Sequence, residues 1–176
     1  MAITRLGGAN AITGTLPAAN INDTSISNIT ALPAAISTGK VLQVVTAKST
    51  TETFTSSGTY SDIASVSITP ASTSNKILVI GSVNSFRREG GSSGILTARV
   101  SDKSSFNQKL VHAAMYDGSS GAMRQGGVTG SFLHSPSTTS AKTYYIQFAS
   151  NNSGQSVGIG DNNESNSTIT VMEIEA

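Results

Sequence analysis

Residues 61–84 read SDIASVSITPASTSNKILVIGSVN. In the first half, Ala64, Val66 and Ile68 alternate with Ser65, Ser67 and Thr69, the period-two pattern of a strand with one dry and one wet face. In the second half, Ile77, Leu78, Val79 and Ile80 are all apolar, which predicts a strand covered on both sides, by a second sheet and the arm described below or by a neighbouring subunit. The same signatures recur outward from this pair. Leu96, Ala98 and Val100 share one face of a strand and Ile95, Thr97 and Arg99 the other; Tyr144, Ile146 and Phe148 oppose Tyr145 and Gln147. The predicted strands are Val41–Ala47, Ile63–Thr69, Lys76–Asn84, Gly94–Val100, Lys109–Tyr116, Val128–Leu133, Lys142–Ser150, Gln155–Gly160 and Thr168–Glu175, with Thr50–Thr55 as a further strand beside Val41–Ala47. Turn-forming clusters separate them, among them Ser56-Ser57-Gly58, Glu89–Gly94, Asp117–Gly121, Asn151–Gly154 and Asp161-Asn162-Asn163. No helical period competes. The expected fold is all-β, a β-sandwich or jelly roll of about 8–9 strands.

Residues 1–40 read differently. Pro17 and Pro33 interrupt any helical stripe, and Leu16-Pro17-Ala18-Ala19 returns as Leu32-Pro33-Ala34-Ala35. Ile3, Leu6, Ile12, Leu16, Ile21 and Leu32 are too many aliphatics for a free tail and too scattered to close a core. An extended N-terminal arm that docks between chains follows, with residues 41–176 as the β-sandwich domain. Closed symmetry is the default for identical subunits, so the arm is expected to make a homo-oligomer.

Composition narrows the function. Charged residues are 12% of the 176, about half the roughly 25% usual in a globular domain, while Ser and Thr number 50 and Gly 17. A net charge of +1 without a basic block gives no field for nucleic acid. No apolar run reaches the roughly 20 residues of a membrane helix, and the first residues, MAITRLGGANAITG, lack a basic-then-apolar signal region. No nucleic acid, no membrane insertion and no signal-dependent export are therefore expected. The absence of Cys excludes disulfides, thiolate nucleophiles and Cys-ligated zinc.

The run Gly39-Lys40-Val41-Leu42-Gln43-Val44-Val45-Thr46, then Thr53-Phe54, Ser67-Ile68-Thr69-Pro70 and Ser72–Val79, resembles the distal domain of bacteriophage tail fibres and related virion appendages of marine and cyanobacterial phages. Met1-Ala2-Ile3-Thr4, Gly14–Ile21, Lys142-Thr143-Tyr144-Tyr145 and Thr168–Glu175 are similar to segments of the same proteins. The resemblance implies a trimeric, β-rich virion protein made in the host cytoplasm. Its expected role is a tail fibre or tail-tip protein mediating host attachment, with partners in other virion proteins through the arm and in a host surface glycan or protein. A capsid decoration or cement protein is the alternative, since the chain is much shorter than a full-length fibre; a polysaccharide-cleaving fibre enzyme is a third reading.

Little chemistry is legible. His112 and His134 have no carboxylate at a motif spacing, and no GxSxG or HExxH run occurs, so no catalytic residue, metal site or cofactor is assigned. Asp161–Asn166 alternates oxygen ligands but lacks the glycine and distal glutamate of a calcium loop, and reads as a polar turn. Arg87 and Arg88 before Gly90-Gly91, and Tyr116 and Arg124 in the Gly-rich loop 116–125, are the candidate contact residues, because Arg forks and aromatics on adaptable loops recognise partners.

Overall fold

The computed structural model describes residues 39–88, 94–115, 123–151, 154–160 and 167–176. In chain order its strands are β1 (Val41–Ser49), β2 (Thr53–Thr55), β3 (Ser61–Ile68), β4 (Lys76–Val83), β5 (Phe86–Arg88), β6 (Gly94–Ser101), β7 (Asn107–Met115), β8 (Met123–Gln125), β9 (Val128–His134), β10 (Lys142–Ser150), β11 (Val157–Ile159) and β12 (Ser167–Ile174). The eight long strands form two antiparallel sheets, ordered β1-β12-β4-β9 and β3-β10-β6-β7. This is the jelly-roll order of two nested Greek keys. The expected all-β sandwich is present, and the nine strands expected from the pattern all lie on observed ones.

Between the two sheets the alternation is literal. Tyr144, Ile146, Phe148, Leu96, Ala98 and Val100 from one sheet meet Ile77, Val79, Val83, Ile169 and Val171 from the other, all fully buried. Large side chains sit opposite small ones across the ladder, as Phe148 pairs with Ala98. Each such large ring or branched chain is stabilised by about 1.5–3 kcal/mol on leaving water.

The four short strands form a third sheet, β2-β11-β5-β8. Its order mirrors that of the first, since β2, β11, β5 and β8 are the chain neighbours of β1, β12, β4 and β9. The first sheet therefore folds over at one line and continues. Ser85, with φ of 55°, stands between β4 and β5, and Gly160, with φ of 84°, follows β11. The Gly160 N–H donates to the carbonyls of both Asn84 and Ser85, at 3.1 Å each. Gly127, between β8 and β9, lies where a Cβ would stand 2.8 Å from the Val83 carbonyl oxygen. Phe86, Val157 and Ile159 on the folded-over strands are buried in the same core.

One expectation needs correction: Thr50–Thr55 does contribute a strand, but β2 pairs with β11 and not with Val41–Ala47. Of the run expected to be covered on both sides, Ile77 and Val79 are fully buried against the second sheet, and Leu78 and Ile80 are half-buried on the outer face, where the cover is expected from the arm or a neighbouring subunit. The arm contacts expected of Ile3, Leu6, Ile12, Leu16, Ile21 and Leu32 lie outside the described residues, as does the Asp161–Asn166 turn.

Gly127→Ala tests the fold-over line. The new methyl meets backbone that cannot rotate away, so overpacking should cost about 1–3 kcal/mol, read as a lower urea midpoint with an unchanged slope.

Candidate functional site

The residues singled out from sequence fall in the third sheet. Arg87 on β5 pairs with Arg124 on β8, and Arg88 pairs with Met123, so three of the four arrive at one corner. Tyr116 lies outside the described residues, and Arg88 and Arg124 are placed by their backbones. Arg87 is neutralised by an ion pair with Glu52. Its guanidinium also lies 5.4 Å from the centre of the Phe54 ring. Phe54 in turn covers Gly158, where no Cβ would fit, and only 17% of the Arg87 side chain meets solvent.

A second cluster braces the turn between β6 and β7. Asp102 accepts hydrogen bonds from the backbone N–H of Ser104 at 2.9 Å and of Phe106 at 3.0 Å, and from Lys142 Nζ at 2.7 Å. Phe106 stacks on His134 at 4.5 Å between ring centres and meets Tyr144 edge-on, while His134 Nδ1 and the Tyr144 hydroxyl are 2.7 Å apart. Burial, with the Lys142 charge adding to it against the opposing pull of Asp102, pushes the His134 pKa below 6.5; burial and Asp102 together push the Tyr144 hydroxyl far up. A neutral His bonded to a buried, un-ionised Tyr is a packing device. His112 is paired instead with Thr97 Oγ1 at 3.0 Å on the exterior of β7.

Glu173 is the third. It points inward from β12 and is fully buried. Asn75 Nδ2 and Gln43 Nε2 donate to it at 2.6 Å each, and the Ala71 N–H at 2.7 Å. Burial raises its pKa, but these hydrogen bonds and that of the Ser72 backbone outweigh the penalty and hold the carboxyl below 4.5. It ties the loop between β3 and β4 to the end of the sandwich.

Among the described residues no group of three His, Asp or Glu stands close enough to hold a metal ion. The five described carboxylates are each engaged: Glu52 by Arg87, Asp62 by Lys103, Asp102 by Lys142, Glu173 as above and Glu175 by Lys40. The cations beside Asp62 and Asp102, like the amides around Glu173, overcome burial and lower those three pKa values, the reverse of what a general acid needs.

Two outer faces remain. On the β1-β12-β4-β9 sheet, Val44, Met172, Leu78 and Leu133 are successive cross-strand partners. On the opposite sheet the corresponding row is Asp62, Gln147, Arg99 and Lys109. The first row is apolar and the second polar, although Thr46, Thr170 and Ser131 flank the apolar row on its own face.

No family model and no curated protein matches the chain. Among solved structures it is similar to a chain of infectious bursal disease virus Gt strain, at 11% identity with a TM-score of 0.42, covering 77% of this chain and 38% of that one. It is also similar to the VP2 protein of the same virus in T=1 particles, at 10% identity and a TM-score of 0.37, covering 76% and 36%. The chain thus spans under two-fifths of either of these two viral chains.

The pH dependence follows from these groups. All four have lowered pKa values, so their stabilisation is complete at high pH and lost on acidification. Thermal melts should weaken first below pH 6.5, as unfolded His134 takes a proton that the folded ring resists, and again below pH 4.5, as Glu173, Asp62 and Asp102 are protonated. His134→Gln should remove the first step and leave the second. Glu173→Gln, which turns a donor toward donors, should cost roughly 2–3 kcal/mol at pH 7.

Proposed function

We propose that the protein is a structural component of a bacteriophage virion, a homotrimeric tail-fibre or tail-tip protein held by its N-terminal arm and meeting the host surface. The observation that carries this reading is the apolar row across the β1-β12-β4-β9 sheet. Val44 and Leu133 are 55% and 57% exposed at its two ends, with Leu42 and Val41 beside it at 42% and 52%. Four strands at roughly 4.8 Å spacing make the row about 14 Å wide. An aligned apolar patch of this kind marks a surface covered by another protein chain.

A neighbouring copy is the simplest cover, because three identical domains around an axis can each lend the same face. The opposite exterior, carrying Arg99, Lys109 and Asp62, then faces outward. The sequence resemblance to phage appendages supports the same assignment, and the engaged state of the described carboxylates speaks against a polysaccharide-cleaving role.

Light scattering of the purified protein should give about three times 18.0 kDa. Leu133→Asp combined with Val44→Asp should lower that mass while β-type circular dichroism persists. A chain starting at Thr38 should fold and melt cooperatively yet fail to enter particles, and loss of folding would refute the division into arm and domain. Antibody labelling of intact particles decides the position: label at the tail tip supports the fibre, and label over the shell replaces it with the decoration protein.

A further inference from the structure

An open depression of about 560 Å³ lies on the polar exterior, between Gly58 and Tyr60 on one side and Lys103 and Asn107 on the other, with Arg99 and Gln147 on its floor. The volume falls within the range of small-molecule sites, roughly 300–1,000 Å³.

Two β-bulges build the floor. The β10–β3 register shifts between Ile146 and Gln147, and the β6–β7 register shifts between Ala98 and Arg99. Both shifts fall on the same cross-strand row. The extra residues, Ile63 and Leu110, pack against the core. Asp62 and Lys109 are thereby turned onto the exterior beside Gln147 and Arg99. Bulges that re-aim side chains in this way concentrate at functional sites.

The floor is then locked. Arg99 Nε donates to Gln147 Oε1 at 3.0 Å, Gln147 Nε2 donates to Asp62 Oδ1 at 2.7 Å, and Lys103 Nζ donates to Asp62 Oδ2 at 2.6 Å. Gln147 is only 3% exposed, and the central carbon of the Arg99 guanidinium sits over the Tyr60 ring, 3.8 Å from its centre. Its two terminal nitrogens have no hydrogen-bond partner among the described residues. The wall is equally fixed. Lys103 is held at φ of 59° because Ser101 Oγ accepts its N–H at 2.8 Å and itself donates to Asn107 Oδ1 at 2.6 Å. The left-handed conformation is unfavourable for a residue other than glycine, and it places this lysine over Tyr145, 3.9 Å from the ring centre.

Of the cations along this row, Lys103 is matched by Asp62, while Arg99 and its cross-strand neighbour Lys109 have no carboxylate partner among the described residues. An immobilised guanidinium presenting two parallel N–H donors fits a carboxylate. The amide, hydroxyl and carboxylate groups around it suit the hydroxyls of a sugar better than the side chains of a peptide.

We infer that this depression binds a carboxylate-bearing sugar, with the Arg99 fork on the carboxylate and Ser104 and Asn107 beside its hydroxyls. On the virion reading this is the point of host contact, so the inference deepens that reading; it is measured on the isolated protein, so its failure is separable from failure of particles to adsorb.

Calorimetric titration with glucuronate, glucose, acetate and a glutamate oligopeptide tests it. Glucuronate should bind at least tenfold more tightly than glucose or acetate. Arg99→Gln should abolish this, and Arg99→Lys, which keeps the charge and loses the fork, should weaken it at least tenfold with an unchanged melt. Lys48→Gln, on β1 of the other sheet, should change nothing. Equal binding of acetate, tighter binding of the acidic peptide, or full affinity in Arg99→Lys would each overturn the assignment.

Discussion

Along the line where the first sheet folds over, backbone from three segments, around residues 84, 127 and 160, comes together. The N–H of Gly160 is shared between the carbonyls of Asn84 and Ser85, and Gly127 stands against Val83 with no room for a side chain. Ser85 accepts a left-handed conformation there, a penalty of roughly 1–2 kcal/mol. The return is burial of Phe86, Val157 and Ile159, each worth about as much or more. Everything on the third sheet follows from this bend, including the withdrawal of Arg87 onto Phe54 and Glu52.

The eight long strands leave the domain with two unlike exteriors. Both sheets bury the same kind of residue inward, but outward one presents Val44, Met172, Leu78 and Leu133 and the other Asp62, Gln147, Arg99 and Lys109. The proposed packing of one face on a neighbouring copy would make use of that difference, which is why the apolar row bears most of the functional reading.

Long elements were legible because alternation needs several residues to declare itself. Ala64, Val66 and Ile68, or Tyr144, Ile146 and Phe148, state their faces unambiguously, and the structure keeps them. The three-residue strands Phe86–Arg88 and Met123–Gln125 carry no period, and their stretches read as a hairpin tip and a loop. Partner choice is non-local, so the pairing of Thr53–Thr55 with Val157–Ile159 left no trace in Thr50–Thr55 itself. Glu173 did leave one: it stands on the apolar parity of Ile169 and Val171, a carboxylate in a row of core positions. The Arg99 depression left none, because two bulges on different strands put Asp62 and Lys109 where simple alternation would not.

The first and last strands of the domain are neighbours. β1 and β12 run antiparallel from Val41 opposite Ile174, the N–H of Glu175 donates to the carbonyl of Lys40 at 2.9 Å, and Lys40 and Glu175 pair at 3.5 Å. Chain therefore enters and leaves the jelly roll at one place, beside the β1–β12 pair. A fold closed in this way is a cassette: it can be spliced into a loop of a larger protein, or have its ends rejoined and reopened at another turn, without any long strand being cut.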